Sequence, residues 1–303
     1  MSISVLMSVY KNEHHQYLDR SIKSIWTDQT IKPSEIILIE DGPLSDELEQ
    51  TINRWKELIG NKLIIHKNET NLGLTKSLNI GLKIASSDFI ARMDSDDISD
   101  PKRFERQTAF LETHPDVAIV GGSMQEFNNN NPKLNVRHYP KNNDEVMRTI
   151  YKASPLAHPT VMMRSDIFKN GLRYDEHYRT SQDIALWFDA ICAGYKIGNI
   201  DDVTLYFRRD DEMFKRRSRA KAWNEFHIYM NGVRRVYGLF TFKYIFPIGR
   251  LIFRLMPLRI VKFIYGSKIR HYVVDKKNKR RAIIFTIARL LHNDCLNNII
   301  GIL

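Results

Sequence analysis

Four consecutive residues carry the densest functional chemistry of the sequence. Asp94-Ser95-Asp96-Asp97 directly follow a strand-like run, residues 88–93. Carboxylates packed this closely repel one another unless a positive group lies among them. Hard oxygen ligands suit Mg²⁺ or Mn²⁺, which share their remaining coordination positions with a diphosphate. The run therefore predicts a divalent-metal site, and the alternative is a solvated acidic turn or the N-cap of a helix.

Another acidic residue, Asp41, ends a second strand-like run and is followed by Gly42 and Pro43. Its carboxylate could accept a hydrogen bond from a nucleobase N–H, or it could simply form the turn before Gly42. The first strand-like run closes without Gly-x-Gly-x-x-Gly, and Gly-x-x-x-x-Gly-Lys occurs nowhere. These absences argue against a dehydrogenase and against a kinase.

The scaffold for these side chains is predicted from an alternation of strand-like and helix-like stretches. The predicted strands are 3–9, 35–39, 63–66 and 88–93, and the predicted helices are 15–29, 45–58 and 74–85. In the second helix, the 3.6-residue period places Leu48, Ile52, Trp55 and Leu58 on one face. Such a βαβ order predicts a parallel sheet with helices on both faces and ligands at the carboxyl ends of the strands.

The rest of the chain is predicted to complete one catalytic domain and to add a second region. Predicted helices span 102–114, 145–153 and 183–193, predicted strands span 160–164 and 196–208, and 128–132 is a loop tip. We predict a catalytic domain over 1–212, with a donor half of about 1–100 and an acceptor half of about 101–212. Residues 213–303 are predicted to form a basic amphipathic helical region.

The net charge of +11 is unevenly distributed along the sequence. Residues 204–303 hold 22 lysines and arginines against 6 acidic residues, whereas residues 1–203 hold 24 against 29. This asymmetry indicates an anionic partner at one end. The two distant cysteines exclude a disulfide scaffold and a cysteine-type zinc site, and they suit a reducing cytosol. We expect no secretory signal, because a strand-like run follows Met1 almost at once.

The basic region is rich in Phe, Ile and Leu, and its longest uncharged stretch is too short to span a bilayer. Segments of this kind lie in the membrane interface, so we predict an anionic membrane surface as a partner. The alternative is a helical bundle on the catalytic domain with its charge in water. Nucleic acid is not predicted as a partner, because it would require a recognition helix or a stacking platform.

Taken together, the motifs resemble glycosyltransferase family 2, whose domain has the GT-A fold. The matching stretches occur in the family's order over about residues 1–210, and they are 8–13, 41–42, 71–81, 91–97 and 182–187. The resemblance implies an α/β GT-A fold, in which helices flank a mostly parallel nucleotide-binding sheet. It also implies a metal-dependent, inverting hexosyltransferase.

The resemblance assigns roles to individual residues. Asp41 would contact the nucleobase, Asp94 the ribose or diphosphate, and Asp96 the Mn²⁺ or Mg²⁺ ion. The implied donor-binding residues are Tyr10, Glu13, Asp41, Asn71, Lys76, Asp94 and Ser95. Asp183 would be the base that deprotonates the acceptor, although this chain has Gln182 where the family more often has Glu.

A further group would contact the acceptor or phosphates: His158, Trp187, Arg208, Arg216 and Arg217. Arginine suits phosphate because its forked donors match the phosphate oxygens. Each member has a simpler alternative. A histidine before proline is often structural, the tryptophan could belong to the core, and the arginines could form a solvated basic face.

The substrates implied by the resemblance are a UDP-hexose donor and an acceptor linked to a lipid. The enzyme would add one galactose or glucose, in a β linkage to O3, to N-acetylhexosamine on undecaprenyl diphosphate. It would act in O-antigen or exopolysaccharide assembly, as a peripheral protein on the cytoplasmic face of the bacterial inner membrane. The alternatives are another nucleotide sugar, a later lipid-linked intermediate, or a scaffold without activity that binds membrane or nucleic acid. A sugar nucleotidyltransferase would need a glycine-rich N-terminal loop that this chain lacks.

Overall fold

The computed structural model describes residues 1–209 and 219–256. These residues form two compact units, one of 1–147 with 155–209 and one of 148–154 with 219–256. The predicted boundary between the catalytic domain and the C-terminal region falls at 212, outside the described residues, and stays a prediction. No helix within the described ranges combines the length and the hydropathy that a membrane crossing requires.

The first unit is built on one nine-stranded sheet with helices around it. Its strands are β1 Ile3–Val9, β2 Glu35–Glu40, β3 Leu63–Lys67, β4 Phe89–Asp94, β5 Ile98–Ser99, β6 Val117–Phe127, β7 Val136–Arg137, β8 Met162–Arg164 and β9 Lys196–Arg208. Its helices are α1 His15–Trp26, α2 Asp46–Ile59, α3 Leu74–Ile84, α4 Arg103–Thr113, α5 Asn143–Met147, α6 Asp166–Lys169 and α7 Gln182–Cys192. The predicted α/β class is therefore confirmed.

The strand order places a crevice between two strand ends. The order is β3-β2-β1-β4-β8-β6-β9-β5, with β7 paired to β6, and β1 to β4 are mutually parallel. The chain leaves β1 toward β2 and β3, then returns on the other side of β1 as β4. Ligands of open α/β sheets bind where the order reverses in this way. The carboxyl ends of β1 and β4 therefore define the place to look for a site.

The core around this sheet follows the predicted apolar pattern, with one correction in α2. Leu48, Ile52 and Trp55 are buried as predicted, and Ser45 caps the helix by accepting from the Leu48 N–H. Leu58, however, is 68% exposed, and its neighbour Ile59 is buried. Ile59 lies four positions after Trp55, so Ile59, and not the predicted Leu58, continues the buried stripe.

The longest element without a prediction is β6, which pairs with β9 along its length. Gly121 and Gly122 interrupt its apolar run and are typical of a break in a strand. In the structure they admit close neighbours, since a Cβ at Gly121 would lie 2.3 Å from Asn199 Oδ1 and one at Gly122 would lie 2.4 Å from Thr204 Cγ2. The glycines therefore mark tight side-chain packing inside the sheet.

Two predicted elements in the same half are shorter than expected. The helix predicted over 145–153 is the short α5, and residues 148–154 group with the second unit. The strand predicted over 160–164 is β8 alone, because a 3₁₀ turn over His158–Thr160 with Pro159 inside it comes first. Proline lacks the N–H that a strand ladder needs, which explains the late start.

The second unit contains two helices, α8 Arg219–Tyr237 and α9 Ile245–Leu255, joined through a 3₁₀ turn over Phe242–Tyr244. Its interior holds the side chains of Ile228, Tyr229, Val233, Phe246 and Phe253. The ring of Tyr151 packs edge-on against the rings of Tyr237 and Phe246. The predicted basic helix over 214–237 is thus present from Arg219, its first described residue.

Candidate active site

The acidic run lies at the crevice between β1 and β4. In the parallel ladder Ser8 is opposite Asp94, so the residues after each strand are neighbours. Ser95 Oγ donates to Glu13 Oε2 at 2.5 Å, and Ser21 Oγ donates to the Asp94 carbonyl at 2.8 Å. Two residues predicted to bind the donor, Glu13 and Ser95, are therefore in direct contact, and Tyr10 lies exposed on the same loop.

Three carboxylates of the run converge. Asp94, Asp96 and Asp97 each place one oxygen so that all three atoms lie within 4.8 Å of one another. Asp97 is fully buried, and its Oδ1 accepts from the Arg208 backbone N–H at 2.8 Å. Its buried Oδ2 has no hydrogen-bond partner in the described part of the chain. This donor set of hard oxygens, with one buried oxygen unsatisfied, fits Mg²⁺ or Mn²⁺.

The electrostatics of the cluster favour a cation as well. Burial, reinforced by the charges of Asp94 and Glu13, raises the pKa of Asp96 to about 7. Burial, with the charges of Asp96 and Asp94, raises the pKa of Asp97 well above its ordinary value. A divalent cation would stabilise the ionised form of both groups. The sequence predicted a metal site in the run as a whole and named Asp96 as its ligand, and the structure adds Asp94 and Asp97 as candidate ligands.

Arg92 is a residue of the site to which sequence reasoning gave no role. Its side chain is 3% exposed and forms an ion pair with Asp94 Oδ1. Its Nε and Nη1 are buried without a hydrogen-bond partner among the described residues. An arginine inside an otherwise apolar strand was the available signal, because such a residue is rarely buried without a partner. Arg92 fixes the first carboxylate of the cluster from inside the sheet.

Asp41 shapes the loop in front of α3. Its Oδ1 accepts from the Leu72 N–H at 2.8 Å, and its Oδ2 accepts from the Gly73 N–H at 3.0 Å. Asn71 Nδ2 donates back to the Asp41 carbonyl at 3.1 Å. Both alternatives for Asp41 stay open, since a buried carboxylate that holds this loop can also face a base. Lys76 is exposed on the first turn of α3.

The glycine after Asp41 permits this arrangement. Gly42 has φ +88°, and a Cβ there would lie 2.8 Å from the Asn71 backbone nitrogen. Any other residue would be strained in conformation and would push the 71–73 loop away. The Asp-Gly pair is therefore required by the close approach of two loops, in addition to any turn that it forms.

Helix α3 also holds the segment that leads to α7. Thr75 Oγ1 donates to the Tyr178 carbonyl at 2.7 Å. Asn79 forms a pair of hydrogen bonds with the backbone of Tyr174, donating to its carbonyl at 2.9 Å and accepting from its N–H at 3.0 Å. Through these bonds, the helix that follows the 71–73 loop fixes the chain just before Asp183.

Asp183 lies in the first turn of α7 and is half-buried. Ser181, two residues earlier, has φ 61° and ψ 23° and is the one non-glycine residue with positive φ among those described. Burial, and then the charges of Asp183 and Asp94, raise the pKa of the Tyr174 phenol well above its ordinary value. Because both charges affect the pKa of the same buried hydroxyl, Asp183 and Asp94 both lie near Tyr174.

His158 and Trp187 belong to the interior. His158 Nε2 is hydrogen-bonded to the Tyr174 hydroxyl at 2.7 Å, and its ring meets Trp187 edge-on at 6.0 Å. Burial and the charge of Arg92 lower the pKa of His158 well below its ordinary value. The imidazole is therefore neutral at pH 7. Trp187 has no exposed surface, so the structure favours the core alternative for both residues.

Arg208 is buried next to the acidic run. Its contacts differ from both predicted alternatives, which were a contact to the acceptor or phosphates and a solvated basic face. Its Nε donates to the Asp96 carbonyl at 3.0 Å, and its backbone N–H donates to Asp97. The guanidinium lies over the Tyr17 ring at 3.7 Å from the centroid. It positions the acidic run and is not part of a solvated face. Arg216 and Arg217 lie outside the described residues.

The fold and the site together are typical of one class of transferase. Comparison with known proteins identifies its family. Residues 4–172 match the model of glycosyl transferase family 2, which is more than half of the chain. The chain therefore belongs to glycosyltransferase family 2. It is 32% identical to the amylovoran biosynthesis glycosyltransferase AmsE of Erwinia amylovora, over 86% of this chain and 97% of that protein.

Two further similarities bear on the fold and on the relatives. The chain is 31% identical to the Escherichia coli UDP-Gal:alpha-D-GlcNAc-diphosphoundecaprenol beta-1,3-galactosyltransferase, over 89% of this chain and 97% of that enzyme. The structure resembles the mannosyltransferase PcManGT from Pyrobaculum calidifontis in complex with GDP-Man and Mn²⁺. The TM-score is 0.61 at 13% identity, covering 95% of this chain and 84% of that one. The predicted family and GT-A fold are confirmed.

Proposed function

We propose that this enzyme transfers one hexose, galactose or glucose, from a UDP-sugar to N-acetylhexosamine linked to polyprenyl diphosphate. The transfer would invert the configuration of the anomeric carbon and form a β linkage to O3 of the acceptor sugar. The observation that carries the proposal is the convergence of Asp94, Asp96 and Asp97 at the sheet crevice. The similarity to an Escherichia coli enzyme named for this donor and acceptor supports the choice of substrates.

The acidic cluster would hold the donor diphosphate through a divalent cation. Asp96 and the unsatisfied Oδ2 of Asp97 would ligate the cation, while Arg92 keeps Asp94 oriented. When bound, Mn²⁺ or Mg²⁺ neutralises the charge that develops on the departing diphosphate. Asp41 and the 71–73 loop would form the nucleobase side of the pocket. A resembling structure that contains Mn²⁺ supports this assignment.

Asp183 would accept the proton of the acceptor hydroxyl as that hydroxyl attacks. The first turn of α7 stabilises its carboxylate through the N-terminal end of the helix dipole. The fixed segment before α7 keeps the carboxylate in place through Thr75 and Asn79. A positioned base in this role contributes about 10²–10⁴ to the rate.

A lipid-linked acceptor would require the enzyme to work at a membrane surface. We place it on the cytoplasmic face of the inner membrane as a peripheral protein in O-antigen or exopolysaccharide assembly. Residues 219–256 carry seven lysines and arginines and one acidic residue, which supports docking on anionic lipid. Membership of a glycosyltransferase family favours an enzyme over a scaffold without activity.

The test is transfer from a panel of labelled nucleotide sugars to a synthetic N-acetylhexosamine-diphospho-lipid, with Mn²⁺ and with EDTA. We expect transfer of one hexose from its UDP-sugar. Transfer should be lost in EDTA and restored by Mn²⁺, and NMR should show a β-1,3 linkage in the product. Transfer from GDP-mannose and not from a UDP-sugar would show that the proposed donor is wrong. Nucleotide binding without transfer to this lipid would show that the proposed acceptor is wrong.

A further inference from the structure

Helix α9 of the second unit exposes a row of apolar residues and buries an arginine. Ile245, Ile248, Ile252 and Leu255 are between 38% and 54% exposed. Their spacing of three, four and three residues places them along one side of the helix. We call this stripe, with the exposed Leu239, Phe240 and Phe242 that precede it in the chain, the apolar face.

The opposite side of α9 buries a charge. Arg250 is 9% exposed, forms an ion pair with the buried Glu225 and donates to the Lys152 carbonyl at 2.6 Å. Arg254 pairs with the second oxygen of Glu225 at 2.8 Å. Turning the helix round would bury the isoleucines and release the arginines to water. The ion pairs hold the helix against that rotation, so the apolar face is directed away from the interior of the unit.

The surroundings of the apolar face are cationic. Over residues 219–256 the only acidic side chain is Glu225, and it is buried and paired. Lys243 lies over the ring of Phe242 at 5.0 Å and over that of Tyr237 at 4.5 Å from the centroids. An ammonium group beside the exposed ring of Phe242 is an arrangement by which side chains reach from apolar surface to lipid phosphate.

We infer that the apolar face enters the boundary between headgroups and acyl chains of an anionic bilayer. This inference rests on the proposed function and deepens it, since it names the surface by which the enzyme would dock on the membrane that holds its lipid-linked acceptor. Charge decides against a second copy, because two such faces would bring two cationic surfaces together. Residues 257–303 hold ten lysines and arginines against two acidic residues, so covering the face with that segment would add to the positive charge.

The test uses the full chain and vesicles of phosphatidylcholine with or without phosphatidylglycerol. We expect sedimentation with the anionic vesicles, and at least about tenfold weaker partitioning for the double variant Phe240→Ser/Ile252→Ser. Leu58→Ser is the matched control, because Leu58 is as exposed as Leu239 but lies in the first unit, and its partitioning should be unchanged. Added salt should weaken but not abolish binding of the wild type.

Other occupants of the face give different results, and each would overturn the inference. If residues 257–303 cover the face, the double variant would unfold at lower temperature and bind vesicles as the wild type does. If a second copy covers it, sedimentation velocity would show a dimer that the double variant loses while vesicle binding is kept.

An activity measurement separates this inference from the proposed function. With a short-chain, water-soluble analogue of the acceptor, the double variant should transfer sugar as fast as the wild type. Normal vesicle binding without transfer would contradict the acceptor only, whereas normal transfer with unchanged vesicle binding of the variant would contradict the apolar face only.

Discussion

Both units bury carboxylates, but the acidic cluster of the first unit is surrounded differently from Glu225 of the second. In the second unit, Glu225 meets Arg250 and Arg254, one at each carboxylate oxygen. In the first, Arg92 pairs with Asp94, and no ion pair reaches Asp96 or Asp97 among the described residues. Buried charge that is fully paired supports the fold, whereas buried charge that lacks a partner indicates a ligand. The contrast separates a structural ion pair from a candidate functional site in the same chain.

The largest expected effect is on turnover, from Asp96→Ala. We expect transfer to fall by about 10³-fold or more, because the diphosphate loses its charge stabilisation. In EDTA the variant should unfold at the same or a higher temperature than the wild type, since a poorly solvated carboxylate is removed. Asp116→Ala, an exposed aspartate paired with Lys196, is the control and should retain activity. Unchanged turnover in Asp96→Ala would remove this residue from the metal site.

Asp183→Asn should lower transfer by about 10²–10⁴. Donor binding should change little, because the isosteric amide keeps the first turn of α7 and cannot accept the proton. Isothermal titration with UDP and Mn²⁺ measures binding separately from the rate. A collapse of donor binding in this variant would give Asp183 a structural role instead.

Glu225→Gln tests the other side of the comparison. Removing the carboxylate leaves Arg250 as a buried charge without its partner, which costs about 3–5 kcal/mol of stability. Denaturant unfolding should report this loss, while transfer to a soluble acceptor at low temperature stays close to that of the wild type. Replacing the exposed Glu57 by Gln is the control and should leave stability unchanged. A stable Glu225→Gln protein would contradict the structural role of the ion pair.

The smallest expected effect is the pH dependence of stability without metal. The pKa of Asp96 is about 7 in the folded state, above the ordinary 3.8 of an aspartate, so the folded protein binds its proton more tightly than the unfolded chain does. Stability in EDTA should therefore fall as pH rises from about 4 to about 7. The stability difference between wild type and Asp96→Asn isolates this contribution, measured as unfolding temperature against pH. With Mn²⁺ the fall should disappear, because the cation favours the ionised form.

The half of the fold around β1 to β4 was predictable because its strands and helices are regular. Each strand is a short apolar run, and each helix has a clear period. The convergence at the strand ends followed from the parallel order alone. The predicted acceptor half, about residues 101–212, was less predictable. Gly121 and Gly122 interrupt the apolar pattern of the long strand β6, and Pro159 makes β8 begin later than predicted.

Within the site, sequence indicated which residues carry charge but not how deeply they are buried. Arg208 and Trp187 were placed with the ligands, yet one positions the acidic run and the other lies in the core. Burial depends on contacts distant in sequence, such as that of Arg208 with Tyr17. For the same reason the ion pair of Arg92 could not be predicted, although its unusual place in an apolar strand was visible.

The left-handed backbone at Ser181 would set stability against activity if Asp183 is the base that we propose. A serine there is strained by about 1 kcal/mol or more, and glycine would relieve that strain. Selection for heat resistance in the laboratory would therefore favour glycine at position 181. The same exchange would loosen the turn that aims Asp183, two residues further on. Variants selected for heat resistance without an activity screen would then lose turnover.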